Sequence, residues 1–183
     1  MRFAAFAATA TAIAAACALA APAQAAIFTF TGNNTGGPTF NRPLEDLSGL
    51  SAVGDAVHYS TFVFRVSITG TYTVLTTGEF DTFLTLYQNS FAPASPLVNA
   101  VIANDDLISP PFTTSGFAVD LNAGTNYFLV TSGFGNADVG AFSTTIGGPG
   151  LVNVVPEPAA WGMLALGLGA LALRRRAANR PVA

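Results

Sequence analysis

Short apolar runs that alternate with period two fill the middle of this chain, and turn residues separate them. In Phe62-Val63-Phe64-Arg65-Val66, Arg65 points away from the face shared by Phe62, Phe64 and Val66. Phe80, Thr82, Leu84 and Leu86 fall on one face, with Asp81, Phe83, Thr85 and Tyr87 on the other. Phe117, Val119 and Leu121 alternate with Ala118 and Asp120. Such a period puts one face of a strand in the core and leaves the other more polar. Thr69-Gly70, Gly78 and Asn122-Ala123-Gly124 supply turns between the runs. The pattern predicts about eight strands, near 27–31, 57–67, 71–77, 80–88, 97–103, 115–121, 126–132 and 140–146. Helical periodicity is almost absent between them, so the fold class expected is all-β: an antiparallel β-sandwich or jelly roll. Gly32 to Asp55, rich in Gly, Asn and Pro, reads as a long loop or loosely held insertion. Gly147 to Asn153 reads as a short linker.

The two ends are of another kind. Met1-Arg2 gives a small positive charge, Phe3 to Leu19 is an Ala-rich apolar stretch, and Ala21-Pro22-Ala23-Gln24-Ala25 offers small residues before a cut. Charge, apolar helix, helix breaker and small-residue site make a secretory signal peptide over residues 1–25. A buried Ala-rich helix, or a lipoprotein signal through Cys17, is the lesser alternative; Ala14 stands where a lipoprotein signal usually has a larger aliphatic residue. At the other end Val155-Pro156-Glu157-Pro158 opens a segment that is apolar on every face from Ala159 to Leu173 and closes with Arg174-Arg175-Arg176. A helix apolar all round belongs in a core or a membrane. The arginine cluster favours the membrane, with its charges as a stop on the cytoplasmic side and Trp161 at the outer interface. Residues 159–173 would reach about 22 Å as a helix, short of the ~30 Å hydrocarbon core. That suits a temporary anchor.

The run Val155-Pro156-Glu157-Pro158, followed by a short apolar helix ending in Arg174-Arg175-Arg176, resembles the PEP-CTERM sorting signal of Gram-negative bacteria. The resemblance implies a tail over residues 154–183 that is read by exosortase, a membrane-embedded sorting enzyme. Exosortase would cut near Pro156, Glu157 and Pro158 and deliver the protein to the envelope or extracellular matrix, often beside exopolysaccharide. The working part would then be residues 26–153. It would be exported by the secretion machinery and transiently anchored in the inner membrane.

Within residues 57–146 a second, looser resemblance runs through Ser67-Ile68-Thr69-Gly70-Thr71-Tyr72-Thr73-Val74, Phe80 to Tyr87, Asn104-Asp105-Asp106, and Leu121 to Thr125 with Tyr127. The order is similar to the bacterial pre-peptidase C-terminal domain. That likeness implies a jelly-roll module with an accessory or binding role and no catalysis of its own, some members binding calcium or matrix polymers. It also implies that Asp81 lies near the Asn104–Asp106 loop.

Charge and chemistry narrow the function classes. Residues 26–153 hold nine acids against Arg42 and Arg65, a formal charge of −7, and the chain has no lysine. Nucleic acid is excluded as a partner, because a phosphate backbone needs clustered bases. Cys17 is the one cysteine, so the exported domain has no disulfide and no thiol ligand. Calcium, a hard ion taking six to eight oxygens, is the candidate cofactor, with Asp81, Asn104, Asp105 and Asp106 as candidate ligands. Adjacent carboxylates repel, and a cation relieves that; the plainer account is that Asn and Asp favour turns. His58, the single histidine, heads an alternating run and reads as a strand-start residue rather than a base in a triad. Zinc lacks His and Cys ligands. Asp81 with Asp120 could form a glycosidase pair only at a separation that sequence does not fix. The aromatic residues could line a carbohydrate groove, but core is their default place. The expectation is a non-enzymatic envelope or matrix protein, structural or adhesive in an exopolysaccharide or biofilm setting. A calcium-dependent polysaccharide- or protein-binding module is the alternative, and a secreted hydrolase is third.

Overall fold

The computed structural model describes residues 25–156, and these contain strands and no helix. Ten strands follow in order: β1 (Ala26–Asn33), β2 (Thr39–Phe40), β3 (Val57–Val66), β4 (Gly70–Gly78), β5 (Thr82–Gln88), β6 (Ala100–Asn104), β7 (Thr114–Leu121), β8 (Tyr127–Gly133), β9 (Ala141–Gly148) and β10 (Val152–Val154). They build two antiparallel sheets. One has the order β1-β9-β4-β7, the other β10-β3-β8-β5-β6, with β2 also paired to β3. Apart from β2–β3 and β5–β6, every successive strand crosses to the other sheet, which is why the two sheets share one core. The signal helix expected in residues 1–25 and the membrane helix expected at 159–173 lie outside the described residues. Among the described residues no helix is long and apolar enough to cross a membrane.

The inner faces follow from the alternation. Phe64 and Val66 of β3, Tyr72 and Val74 of β4, Leu84 and Leu86 of β5, Leu121, Tyr127, Leu129 and Ile146 form one buried cluster between the sheets. Each such side chain removed from water contributes about 1.5–3 kcal/mol before chain entropy is counted. Two tyrosines close one end of the sandwich. The Tyr72 hydroxyl donates to the Ile68 carbonyl at 2.8 Å, and the Asn122 N–H donates to the Tyr127 hydroxyl at 2.8 Å. Toward the other end the interior turns polar but stays satisfied: Thr76 Oγ1 meets Thr144 Oγ1 at 2.6 Å, and Thr82 Oγ1 meets Ser115 Oγ at 2.6 Å.

Each of the eight expected strand positions carries a strand, with ends shifted by a few residues. Two other expectations are corrected. Gly32 to Asp55 is a long connection, mostly irregular apart from the end of β1 and the two residues of β2, but it is not loosely held. It lays a third layer on the outer face of the six-stranded sheet, where Phe40, Val57, Tyr87 and Val130 form a second buried cluster with Tyr59, Phe91 and Phe128 against it. This is also why β5 is buried on both faces although its alternation predicted one polar side. The fastening of this layer is Arg42, only 3% exposed, whose guanidinium lies 4.1 Å from the Phe83 ring centre and 4.5 Å from that of Phe134. Its Nε donates to the Phe134 carbonyl at 2.8 Å, and Nη1 donates to the Pro43 carbonyl at 3.1 Å. Gly54 sits beside it because a Cβ there would come 2.6 Å from Arg42 Nε and 2.8 Å from the Phe134 oxygen. The stretch read as a linker is not one either: β9 runs on to Gly148, and Val152–Val154 pairs with Val66–Phe64 as an edge strand. Two or three residues are too few for a period to show, so β2 and β10 left no sequence signal.

Candidate functional site

Asp81 occupies the crossing from β4 to β5, just before Thr82 enters the sheet. Its carbonyl accepts from the Phe134 N–H at 3.0 Å, tying the crossing to the end of β8. β5 and β6 are antiparallel neighbours, with Leu84 opposite Asn104, so the end of β6 returns to the start of β5. Asp105 and Asp106 follow directly on β6. They are held there by the Leu107 N–H, which donates to the Thr114 carbonyl at 2.8 Å and closes the following loop. The Thr82 N–H donates to the Phe112 carbonyl at 3.3 Å, bringing Phe112 over the same spot. Asp81, Asp105, Asp106, Phe112 and Phe134 line an open cleft of about 270 Å³.

One carboxylate oxygen from each of Asp81, Asp105 and Asp106 lies within 4.8 Å of the other two. Two oxygens on opposite sides of a calcium ion at 2.3–2.6 Å are about 4.6–5.2 Å apart, so the three fit on one coordination sphere. The Oδ1 atoms of all three are shielded from solvent and have no hydrogen-bond partner among the described residues. Buried acceptors are normally satisfied, so these oxygens are costly unless a proton, water or cation meets them. Asp81 is pushed up to about 6 by burial, then by Asp106 and Asp138, with Arg42 opposing. Asp105 is likewise pushed up to about 6 by burial, then by Asp106 and Asp81, again against Arg42 and with Glu45 adding. Asp106 is raised by burial and by Glu45. The donor set is therefore hard, anionic and short of positive charge, which suits calcium.

Asn104, the fourth candidate ligand, is committed elsewhere. Its Oδ1 accepts from the Gly116 N–H at 2.8 Å and its Nδ2 donates to Glu45 Oε1 at 2.8 Å. It positions the Asp105–Asp106 corner and links it to the third layer. Asp120 is on the far end of β7, where it accepts from Thr71 Oγ1 at 2.6 Å, and is not brought to Asp81. His58 is the second residue of β3, with Nδ1 against the Gly37 carbonyl at 2.6 Å. Arg42, Phe112 and Phe134 were not anticipated at the site. Arg42 had a signal, being one of two bases in a strongly acidic stretch; the two phenylalanines had none.

The other functional segment begins where the sheet ends. The Val155 N–H donates to the Val63 carbonyl at 2.9 Å, and exposed Pro156 follows. Glu157, Pro158 and the arginines 174–176 lie outside the described residues. Residues 154–176 match the family described as the PEP-CTERM protein-sorting motif. The sorting motif implies an exported protein that is transiently anchored in the membrane and processed by exosortase. It covers the tail and bears on transport, not on what the sandwich does. No curated protein matches the chain. The comparisons give no support to the likeness of residues 57–146 to the pre-peptidase C-terminal domain.

Proposed function

We propose that the mature chain is a non-catalytic envelope or extracellular-matrix protein, structural or adhesive in an exopolysaccharide or biofilm setting. The observation that carries this reading is the sorting motif at residues 154–176. A non-catalytic role draws support from how the reactive side chains are used: His58 and Asp120 each hold a structural hydrogen bond, 2.6 Å in both cases. The test is the mass of the processed protein from envelope and culture fractions, in cells with and without exosortase. Loss of everything after the Pro156–Pro158 region, only where exosortase is present, is expected. A product that keeps Arg174–Arg176 overturns the reading.

A second reading, a calcium-dependent module binding polysaccharide or protein, is favoured by the three orphaned carboxylate oxygens of Asp81, Asp105 and Asp106. It keeps the kinship with the pre-peptidase C-terminal domain as part of the proposal, because that family's motif order pairs Asp81 with the Asn104–Asp106 loop. Calcium would neutralise the carboxylates, and ligation would fix the β4–β5 crossing to the loop after β6. The experiment is a thermal melt with calcium and with chelator at matched ionic strength. Calcium at a hundred times its Kd stabilises by about 2.7 kcal/mol, several degrees for a domain of this size. An unchanged midpoint, with no heat in calorimetry, removes calcium from the proposal.

A further inference from the structure

Of the four edges of the two sheets, three are blunted and one is not. On β7 the Gly116 N–H donates to Asn104 Oδ1 at 2.8 Å, the Thr114 carbonyl accepts from the Leu107 N–H at 2.8 Å, and Asp120 adds a charge. β6 is five residues long, pairs with β5 through a register shift between Leu86 and Tyr87, and runs straight into Asp105 and Asp106. The edge of β3 is overlaid by β2 and by β10, which is itself only three residues long. Short, irregular, charged or covered edges keep a sheet from pairing with further strands. β1 has none of these devices. It runs eight residues, Ala26–Asn33, without a proline, a charge or a register shift.

The alternation of the ladder fixes which groups of β1 are unused. The Asn34 N–H donates to the Gly140 carbonyl at 3.2 Å, in register with the pairs from Ala26↔Gly148 to Asn33↔Ala141, so the even residues of β1 bond to β9. Ile27, Thr29, Thr31 and Asn33 turn their N–H and C=O groups the other way, and among the described residues these groups have no partner. All four residues are exposed, Ile27 by 74%. Only an extended strand can satisfy such a row. The strand is self-complementary. Antiparallel pairing about a two-fold axis at Phe30 sets Ile27 opposite Asn33 and Thr29 opposite Thr31 of a second copy, so each outward N–H meets an outward C=O. Threonines already touch across the sheet, Thr29 Oγ1 and Thr145 Oγ1 at 3.0 Å, and would pair again across the axis. Charge agrees. Two bodies of formal charge −7 repel, but β1, β9 and β10 carry no charged side chain, so on this side copies can meet without setting acids face to face. The pairing uses up both β1 edges and leaves only blunted ones, so it closes as a dimer instead of growing into a fibre.

We propose that the sandwich pairs with a second copy of itself through antiparallel β1 strands, so that the four-stranded sheets of two chains run on as one. This names the partner in the structural or adhesive role proposed above and rests on that reading for its meaning, but not for its geometry.

Sedimentation equilibrium of the full-length chain in density-matched detergent micelles reads the protein mass alone, and a dimer is expected at micromolar concentration. Thr29→Pro deletes an outward N–H in the middle of the strand, while Phe28 and Phe30 keep their bonds to β9. Thr31→Lys sets a charge beside the axis. Each should weaken association about tenfold or more, with the circular dichroism of the chain unchanged. A monomer in the unaltered chain overturns the proposal, and so does a dimer that survives both substitutions, since its contact then lies elsewhere, the tail included. Should both variants fail to fold, the register decides. With Cys17→Ala in each, a Thr29→Cys chain is mixed with a Thr31→Cys chain and oxidised. Opposite positions in a hydrogen-bonded antiparallel pair have Cα atoms about 5.5 Å apart, within reach of a disulfide, whereas like positions lie on a diagonal beyond the ~7 Å limit. Cross-links between unlike chains and none between like chains are expected; any other pattern overturns the pairing. A monomeric chain that is still sorted sinks this proposal and leaves the structural reading standing. A dimer that keeps Arg174–Arg176 in cells with exosortase does the reverse.

Discussion

At the cleft, Asp81 and Asp105 set the pH behaviour of the domain. Both are pushed up to about 6, by burial first and by neighbouring carboxylates next. Between about pH 4, the ordinary carboxylate range, and pH 6 the folded protein holds protons that the unfolded chain has released. Stability from the neutral carboxyls is thus full below about pH 4 and lost as pH rises through 6. In chelator, the melting midpoint should fall between pH 4.5 and 7; a rising midpoint would show the carboxylates are not destabilised when charged. Asp105→Asn removes one charge at neutral pH. After discounting for solvent screening it should stabilise the metal-free protein by about 1 kcal/mol, roughly 4 °C, and erase any calcium-dependent shift. Arg42 has the opposite sign. Arg42→Ala leaves a gap between Phe83 and Phe134 and removes the cation that offsets Asp105 and Asp81. A loss of about 2–4 kcal/mol in denaturant unfolding is expected at pH 7, and less at pH 4.5, where the acids are neutral. An equal loss at both pH values would mean that packing alone accounts for Arg42.

Among the elements, the third layer carries the least expected share of the stability. Phe40 is 4% exposed and Tyr87 is fully buried beneath the segment that precedes β3. Replacing residues 34–56 with a short Gly-Ser connection should uncover the Tyr87, Val130 and Phe128 face, lower the melting midpoint by more than 10 °C and produce strong binding of a hydrophobic dye. A variant that melts normally and binds no dye would return the segment to the status of a loop. The main strands were legible because their periodicity reflects a single buried face, as in Phe64 and Val66 against exposed Arg65. The third layer was not, since Phe40 and Arg42 sit in a Gly- and Pro-rich stretch whose buried residues follow the shape of a surface, not a period. The site was half legible. Asp105 and Asp106 announce a loop, but the meeting with Asp81 depends on β5 and β6 being neighbours, and the cleft is completed by Phe112 and Phe134 from other connections. Neither is a local property of the sequence.

For the molecule as a whole, the sheet orders fix which edges of the sandwich lie together. β1 and β10 are edge strands of their respective sheets and lie on the same side of the sandwich, so the first residues after the expected signal cut and the exit toward the tail share that side. β7 and β6 form the opposite side, and Asp105 and Asp106 leave from the end of β6. Across the six-stranded sheet Val155 thus lies on the β10 edge, while the acidic cleft lies at the start of β5 and the end of β6, with β3 and β8 between. The described body is strongly acidic, and the tail carries four of the five remaining arginines, so processing changes net charge without touching the cleft. If calcium binds, its affinity should agree within about twofold between the full-length precursor in micelles and the processed protein at the same ionic strength, because charges beyond a Debye length of about 8 Å are screened. Isothermal titration of the two forms measures this directly. A tenfold weaker calcium affinity in the precursor would mean that the tethered domain lies with its cleft against the membrane, and that release by the sorting enzyme is what opens the site.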